Sequence, residues 1–151
     1  MDFDTQVKRA IYQAIVETTR APTVAEVAGR MGVLPSAVRA AFGRLYAAHA
    51  MVLEPDGETI RMALPFSGVP TQHRVHAGGR SYFANCAWDA LGIPAALHKR
   101  AIVETRCEWS HEPIRLEIGP NGPSSAACAA PPCVVHFAVP AVHWWKDIVY
   151  T

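Results

Sequence analysis

The stretch SYFANCAWDALGIPAAL, Ser81–Leu97, places a thiol and a carboxyl group three residues apart within an apolar run. Its alanines and leucines favour a helix that begins at Cys86, although Gly92 and Pro94 weaken or bend it. In such a helix Cys86 and Asp89 stand at positions i and i+3 and therefore share a face. The stretch thus predicts a helix whose first turn carries both groups.

This pair has two interpretations from the residues alone. The free amide groups at a helix start lower the pKa of a thiol, whereas a neighbouring carboxylate raises it, so Cys86 and Asp89 could hold one proton between them. A soft nucleophile beside a proton carrier suits a reaction that binds a metal on sulfur and protonates carbon. The other interpretation is a small buried cysteine beside a helix-capping aspartate.

The residues around this stretch predict a small mixed α+β unit over residues 73–151. A strand from Val75, a Gly78–Gly79 turn and a returning strand at 81–83 precede the helix. Three further strand candidates and a short aromatic helix follow it: RAIVETRC, PIRLEIG, CVVHFAV and AVHWWKDI.

Residues 1–64 predict a different unit, in which three helices precede a hairpin. Apolar residues recur at helical spacing over DTQVKRAIYQAIVETTR, Thr23 and Glu26 form a capping-box pattern, and Pro35 begins a third helix. A hairpin is predicted around Pro55-Asp56-Gly57. This order is typical of a winged-helix-like domain, and the Pro- and Gly-containing residues 65–72 are predicted to link it to the second unit.

The charge of the first unit argues against nucleic acid as a partner. Arg39 and Arg44 on the third helix could meet phosphates. However, residues 1–62 hold seven basic and seven acidic side chains, which sum to zero, whereas DNA-binding domains usually present a basic face. A packing or substrate-covering role is therefore the preferred interpretation.

Composition and the first residues of the chain indicate the cellular compartment of the protein and the state of its cysteines. The 151 residues carry a formal net charge of +1, and no apolar run approaches the roughly 18 residues of a membrane helix. The N-terminal residues begin with acids and do not form a secretory signal, so we expect a cytoplasmic protein. Its four cysteines, Cys86, Cys107, Cys128 and Cys133, are then expected to be reduced thiols, metal ligands or reactive groups.

The run YFANCAWDALGIPAAL resembles the active-site segment of the alkylmercury lyases, in which an aromatic residue precedes Cys-Ala-x-Asp and an apolar, Pro-containing helix follows. The resemblance continues in the strand pair carrying Cys107 and in CVVHFAVP, and is weaker over the first unit. The chain is accordingly identified as a short or divergent member of that family. The resemblance implies cleavage of carbon–mercury bonds without a required cofactor, with Hg(II) as the bound product and thiols as its acceptors.

Carried over by position, Cys86 matches the first cysteine of the family and Asp89 its aspartate. The second catalytic cysteine of the family precedes His-Phe in the apolar strand. Aligned without a gap, Pro132 takes that place, and a one-residue shift puts Cys133 there. The expected catalytic residues are thus Cys86, Asp89 and Cys133, which are also the expected mercury ligands. The expected partners are an organometallic or apolar small molecule and cellular thiols or a mercury-accepting protein.

Two alternatives stay open at this point. Cys107 and His111, together with Cys128 and Cys133, could form a zinc site, although their spacing is looser than that of a C-x-x-C knuckle. The scaffold could also serve a non-catalytic regulator that binds a soft metal and touches DNA, because a fold alone does not determine function.

Overall fold

The computed structural model describes residues 1–119, 122–123 and 134–150. The helices are α1 (Phe3–Thr18), α2 (Val24–Met31), α3 (Pro35–Ala47) and α4 (Ala87–Leu97), and a 3₁₀-helix covers Ala141–Lys146. The strands are β1 (Val52–Leu53), β2 (Ile60–Ala63), β3 (Phe66–Ser67), β4 (Arg74–Ala77), β5 (Arg80–Phe83), β6 (Ala101–Arg106), β7 (Pro113–Gly119) and β8 (Gly122–Pro123).

The first three helices begin and end where local chemistry dictates. The side chain of Asp2 caps α1 by accepting a hydrogen bond from the backbone N–H of Thr5. The predicted capping box of Thr23 and Glu26 is present at α2, which ends at Gly32 in the left-handed region that glycine adopts without strain. Their apolar faces form a common core with the fully buried side chains of Val7, Val38 and Phe42, among others.

An antiparallel sheet of order β1-β2-β3 follows the helices. Its first two strands are those of the predicted hairpin. The third, Phe66–Ser67, lies within residues 65–72, pairs with β2 and also bridges to Ala84. The next residue must be glycine, because a Cβ on Gly68 would lie 1.9 Å from the carbonyl oxygen of Ile60.

The second sheet has five antiparallel strands in the order β5-β4-β6-β7-β8 and carries α4 on one face. Val75, Val103 and Ile118 from the strands are buried against Ala90 and Ile93 of the helix. The strands predicted from Val75, at 81–83, in RAIVETRC and in PIRLEIG are confirmed as β4, β5, β6 and β7. The chain is therefore a mixed α+β protein, as expected.

One strand prediction is wrong for the part of the predicted strand that the structure describes. CVVHFAV was expected to form an apolar strand, but Val134–Pro140 has no regular structure, and Val134 and Phe137 are exposed. β-branched and aromatic residues favour a strand only when a neighbouring strand completes the ladder, and this segment joins neither sheet. The aromatic segment after it is helical as predicted, in the tighter 3₁₀ form.

The two predicted units pack against each other closely. The hydroxyl of Tyr82 in β5 donates to the carbonyl of Val16 in α1 at 3.0 Å. The ring of Phe66 lies between those of Tyr12 and Tyr82, with centroids 6.3 and 5.5 Å away. One hydrophobic cluster therefore runs through both sheets and all four α-helices.

Candidate active site

The site is built on the first turn of α4. Cys86 is the N-cap residue, with an extended backbone (φ −149°, ψ 179°), and its carbonyl accepts the first helical hydrogen bond from Ala90. Its side chain does not cap the helix. The backbone N–H groups of Trp88 and Asp89 nonetheless lie near enough to the sulfur to lower the pKa of Cys86, as expected at a helix N-terminus.

Asp89 is a half-buried carboxyl group with two polar neighbours, Asn85 and Cys86. Its Oδ2 accepts a hydrogen bond of 2.9 Å from Nδ2 of Asn85. Burial raises the pKa of Asp89 above its ordinary value, and the two neighbours, Asn85 more than Cys86, oppose that rise without reversing it.

The thiol responds to the same surroundings. Burial raises the pKa of Cys86, the nearby carboxyl group of Asp89 raises it further, and the amides of the helix start oppose the rise. Burial is the largest influence, and together with the carboxyl group it outweighs the helix N-terminus. The raised pKa values favour the protonated form of each group.

The face of α4 that carries Asp89 lies against the segment joining β2 to β3. A Cβ on Gly92, one turn after Asp89, would sit 3.5 Å from Cβ of Pro65, so the helix approaches that segment closely. Tyr12 of α1 is anchored there as well, with its hydroxyl donating to the carbonyl of Leu64 at 2.7 Å. Burial, and then the charge of Asp89, raise the pKa of Tyr12.

Aromatic side chains border the first turn of α4. The ring of Phe137 packs edge-on against Trp88 with centroids 6.0 Å apart, and Trp144 lies 5.2 Å beyond it. Trp88 is 56% exposed although it stands between Cys86 and Asp89 in the chain. An apolar surface therefore adjoins the polar pair.

Two expected site residues, Cys128 and Cys133, lie outside the described residues, so the place of the second thiol stays a prediction. The described chain resumes at Val134, and Phe137, four residues after Cys133, contacts the first turn of α4.

Cys107 and His111 occupy the turn between β6 and β7. The sulfur of Cys107 accepts a hydrogen bond from the N–H of Ser110 at 3.5 Å. The Ser110 hydroxyl, followed by backbone amides, lowers the pKa of this thiol. Within residues 1–119, 122–123 and 134–150, no three histidine, cysteine or acidic side chains cluster as a metal site would require, and the zinc alternative depends on cysteines outside those ranges.

Sequence reasoning missed two residues of the site, Asn85 and Tyr12. Asn85 precedes the cysteine directly and, as a polar side chain in an apolar run, could have been noticed. Tyr12 could not have been noticed in this way, because it occupies an ordinary position on an amphipathic helix that is far from Cys86 in the sequence.

A half-buried thiol beside a half-buried carboxyl group at the start of a helix defines a class of site that combines a soft nucleophile with an acid. The family model "MerB: Alkylmercury lyase" matches residues 66–151, the part of the chain that holds this pair. The chain belongs to the alkylmercury lyase family.

Individual relatives agree with this assignment. Alkylmercury lyases of Bacillus cereus and of Clostridium butyricum are each 30% identical over 69 residues, which are 46% of this chain and 31% of each relative. The chain thus aligns with about a third of the length of these relatives. Among solved structures, the mercury-bound form of MerB2 is similar with a TM-score of 0.66 and 27% identity, over 82% of this chain and 59% of that one.

Proposed function

We propose that the protein cleaves carbon–mercury bonds by protonolysis, with Cys86 as nucleophile and mercury ligand and Asp89 as proton donor. The observation that carries the proposal is the placement of these two half-buried side chains together at the start of α4, each with a pKa raised mainly by burial. The family match and the similarity to a mercury-bound structure support it.

The reaction balances with one proton held by the pair. Mercury of an organomercurial R–Hg–X binds the sulfur of Cys86, X⁻ leaves, and the thiol proton passes to Asp89. Asp89 then protonates the carbon, the electron pair of the C–Hg bond becomes the new C–H bond, and the hydrocarbon departs. Hg(II) stays bound to sulfur without a change of oxidation state, so this sequence needs no cofactor.

A second thiolate completes the proposal. Soft metals prefer sulfur to oxygen, so a Hg(II) product held by Cys86 should be stabilised by another cysteine, and Cys133 is the proposed one. Asp89 is proposed as a weaker oxygen ligand. Cellular thiols or a mercury-accepting protein would then remove Hg(II) by thiol exchange.

The aromatic side chains beside α4 suit the organic group of the substrate. Trp88 and Phe137 adjoin the pair and offer apolar surface to an alkyl or aryl group. The proposed substrate class is therefore an organomercurial, or another apolar small molecule that carries a soft metal.

The division into residues 1–64, 65–72 and 73–151, and the winged-helix-like character of the first part, remain proposals. We assign that part a covering role, because Tyr12 packs beside the segment that faces Asp89. Arg39 and Arg44, the candidate phosphate contacts, are ion-paired with Glu58 and Asp4, which counts against the DNA-binding regulator. A cytoplasmic location also remains a proposal. None of the helices in the described ranges has the length and hydropathy that crossing a bilayer requires.

The direct test is hydrocarbon release. Purified protein is incubated with phenylmercuric acetate and an excess of a small thiol, and benzene is measured by gas chromatography. We expect catalytic release by the wild type and by Cys107→Ser, a matched change at the thiol of the β6–β7 turn, within about threefold of each other. Release no faster than that from thiol alone would contradict the proposal.

A further inference from the structure

Asn85 makes contacts that ordinary packing does not explain. Its Nδ2 lies 2.9 Å from Oδ2 of Asp89 and 3.3 Å from the carbonyl oxygens of both Pro65 and Phe66. An amide nitrogen has two protons, so three acceptors surround two donors.

These neighbours fix the orientation of the amide. If the amide were rotated to exchange its oxygen and nitrogen, Oδ1 of Asn85 would face two carbonyl oxygens and a carboxyl group, all of them acceptors in the ionised state. In the observed orientation Oδ1 is buried and has no hydrogen-bond partner among the described residues. A buried acceptor without a partner is unfavourable, so the donor contacts on the other side must outweigh it.

The orientation has a consequence for Asp89. A nitrogen that donates to Oδ2 occupies that oxygen as an acceptor and cannot receive a proton from it. The proton that the acid carries is then placed on Oδ1, leaving that oxygen to exchange it with the thiol.

We propose that Asn85 is a positioning residue: its amide, held by the main chain of Pro65 and Phe66, reserves Oδ2 of Asp89 as an acceptor and directs proton exchange with Cys86 to Oδ1. This inference rests on the proposed function for its chemical meaning. The effect of the Asn85 amide on Asp89 can be tested without measuring benzene release. The inference and the proposed function can therefore fail separately.

The test follows the titration of Asp89 in the complete chain. The protein is labelled with ¹³C at aspartate carboxyl groups, and Asp89→Asn identifies the Asp89 signal. Two titratable groups interact with Asp89 in the described chain, Cys86 of its own helix and Tyr12 of α1. The titration is repeated in Cys86→Ser and in Tyr12→Phe, so that the midpoint of Asp89 can be distinguished from the midpoints of Cys86 and Tyr12.

In Asn85→Leu, which fills a similar volume without donors, we expect the Asp89 midpoint to move upward by about one pH unit, because a donor to the ionised form is lost. The acid limb of the pH profile of benzene release should move in the same direction, because Asp89 must be ionised to accept the thiol proton. Asn85→Ala adds no new contact and is measured as well, in case the leucine variant does not fold. The same upward shift of the Asp89 midpoint is expected.

Thr71→Val is the matched control. The Thr71 hydroxyl also bonds to a main-chain carbonyl, that of Ala84 at 2.6 Å, next to Asn85 in the chain. The Thr71→Val variant should lower the melting temperature about as much as the Asn85 variants do, and it should leave the midpoint of Asp89 unchanged. An unchanged or lowered midpoint in the Asn85 variants, or an equal shift in Thr71→Val, would overturn the inference. If the shift occurs and no variant releases benzene, the positioning role stands and the proposed function fails.

Discussion

Two cysteines of the same chain sit in opposite surroundings. Cys86, at the start of α4, is half-buried beside a carboxyl group, and its pKa is raised. Cys107, in the β6–β7 turn, is also partly buried, but it lies beside the donors of Ser110, and its pKa is lowered. By thiolate content alone Cys107 is the better nucleophile.

The comparison of the two thiols indicates that the proposed reaction does not depend on which thiol is the better nucleophile. Protonolysis needs an acid next to the sulfur at the moment the carbon leaves, and Cys86 stands beside Asp89 at the start of α4. The pKa of Cys86 is raised mainly by burial, and the raised value keeps on the thiol the proton that the proposed reaction uses. The predictions below test this difference between the two thiols.

The largest expected effect is that of removing the thiol. Cys86→Ser should lower the rate of benzene release by at least about 100-fold, because the oxygen of serine is a poor ligand for a soft metal. Cys107→Ser should leave the rate within about threefold of wild type. Equal losses in the two variants, measured by gas chromatography, would remove the distinction between the thiols.

Removing the acid should separate binding from chemistry. Asp89→Asn keeps the shape and the acceptor for Asn85, but it has no proton to give, so we expect release to fall about 100-fold or more. Binding of Hg(II), followed by isothermal titration calorimetry with a competing thiol, should change less than tenfold. A variant that still releases benzene at the wild-type rate would show that the proton comes from elsewhere.

Alkylation should rank the thiols in the opposite order to catalysis. At pH 7 iodoacetamide should modify Cys107 several-fold faster than Cys86, because a lower pKa gives more thiolate. Asp89→Asn should accelerate modification of Cys86 and not of Cys107. Peptide mass spectrometry gives both rates, and faster modification of Cys86 in the wild type would contradict the assigned environments.

The smallest effect concerns stability. Burial raises the pKa of Asp89 in the folded state, so between the unfolded value near 3.9 and the raised value the native protein binds more protons than the unfolded chain. Stability contributed by this group is therefore lost as pH rises through that window. Asp89→Asn should raise the melting temperature by about 1–3 °C at pH 7.5 and change it little at pH 3.5.

Asp56→Asn gives a control of opposite sign. Hydrogen bonds from the Thr59 hydroxyl and from backbone amides lower the pKa of Asp56, so its contribution is present at neutral pH and lost on acidification. This variant should melt lower than wild type at pH 7.5. A melting temperature of Asp89→Asn below that of wild type at the same pH would refute the stored-proton interpretation.

Local patterns predicted much of this fold. The capping box at Thr23 and the Gly78–Gly79 turn are signals contained within a few residues, and each lies where the sequence predicted it. The apolar segment after Cys133 was misread, because strand formation depends on a neighbouring strand that its own sequence does not specify.

The same distinction holds in the site. Cys86 and Asp89 could be paired from their spacing, since i and i+3 meet on any helix. The contact of Asn85 with Pro65 and Phe66, and the approach of Tyr12, arise from packing between distant segments. No local pattern encodes them, and the sign of the Cys86 pKa shift, set mainly by burial, could not be decided without them.

The central claim is that Cys86 and Asp89 act as one unit, and a double-mutant cycle tests it most directly. Benzene release is measured for wild type, Cys86→Ser, Asp89→Asn and the double variant under the same conditions. A shared proton predicts that the double variant is within about threefold of the slower single variant, because either change alone disables the unit. Losses that multiply would show two independent contributions and contradict the account.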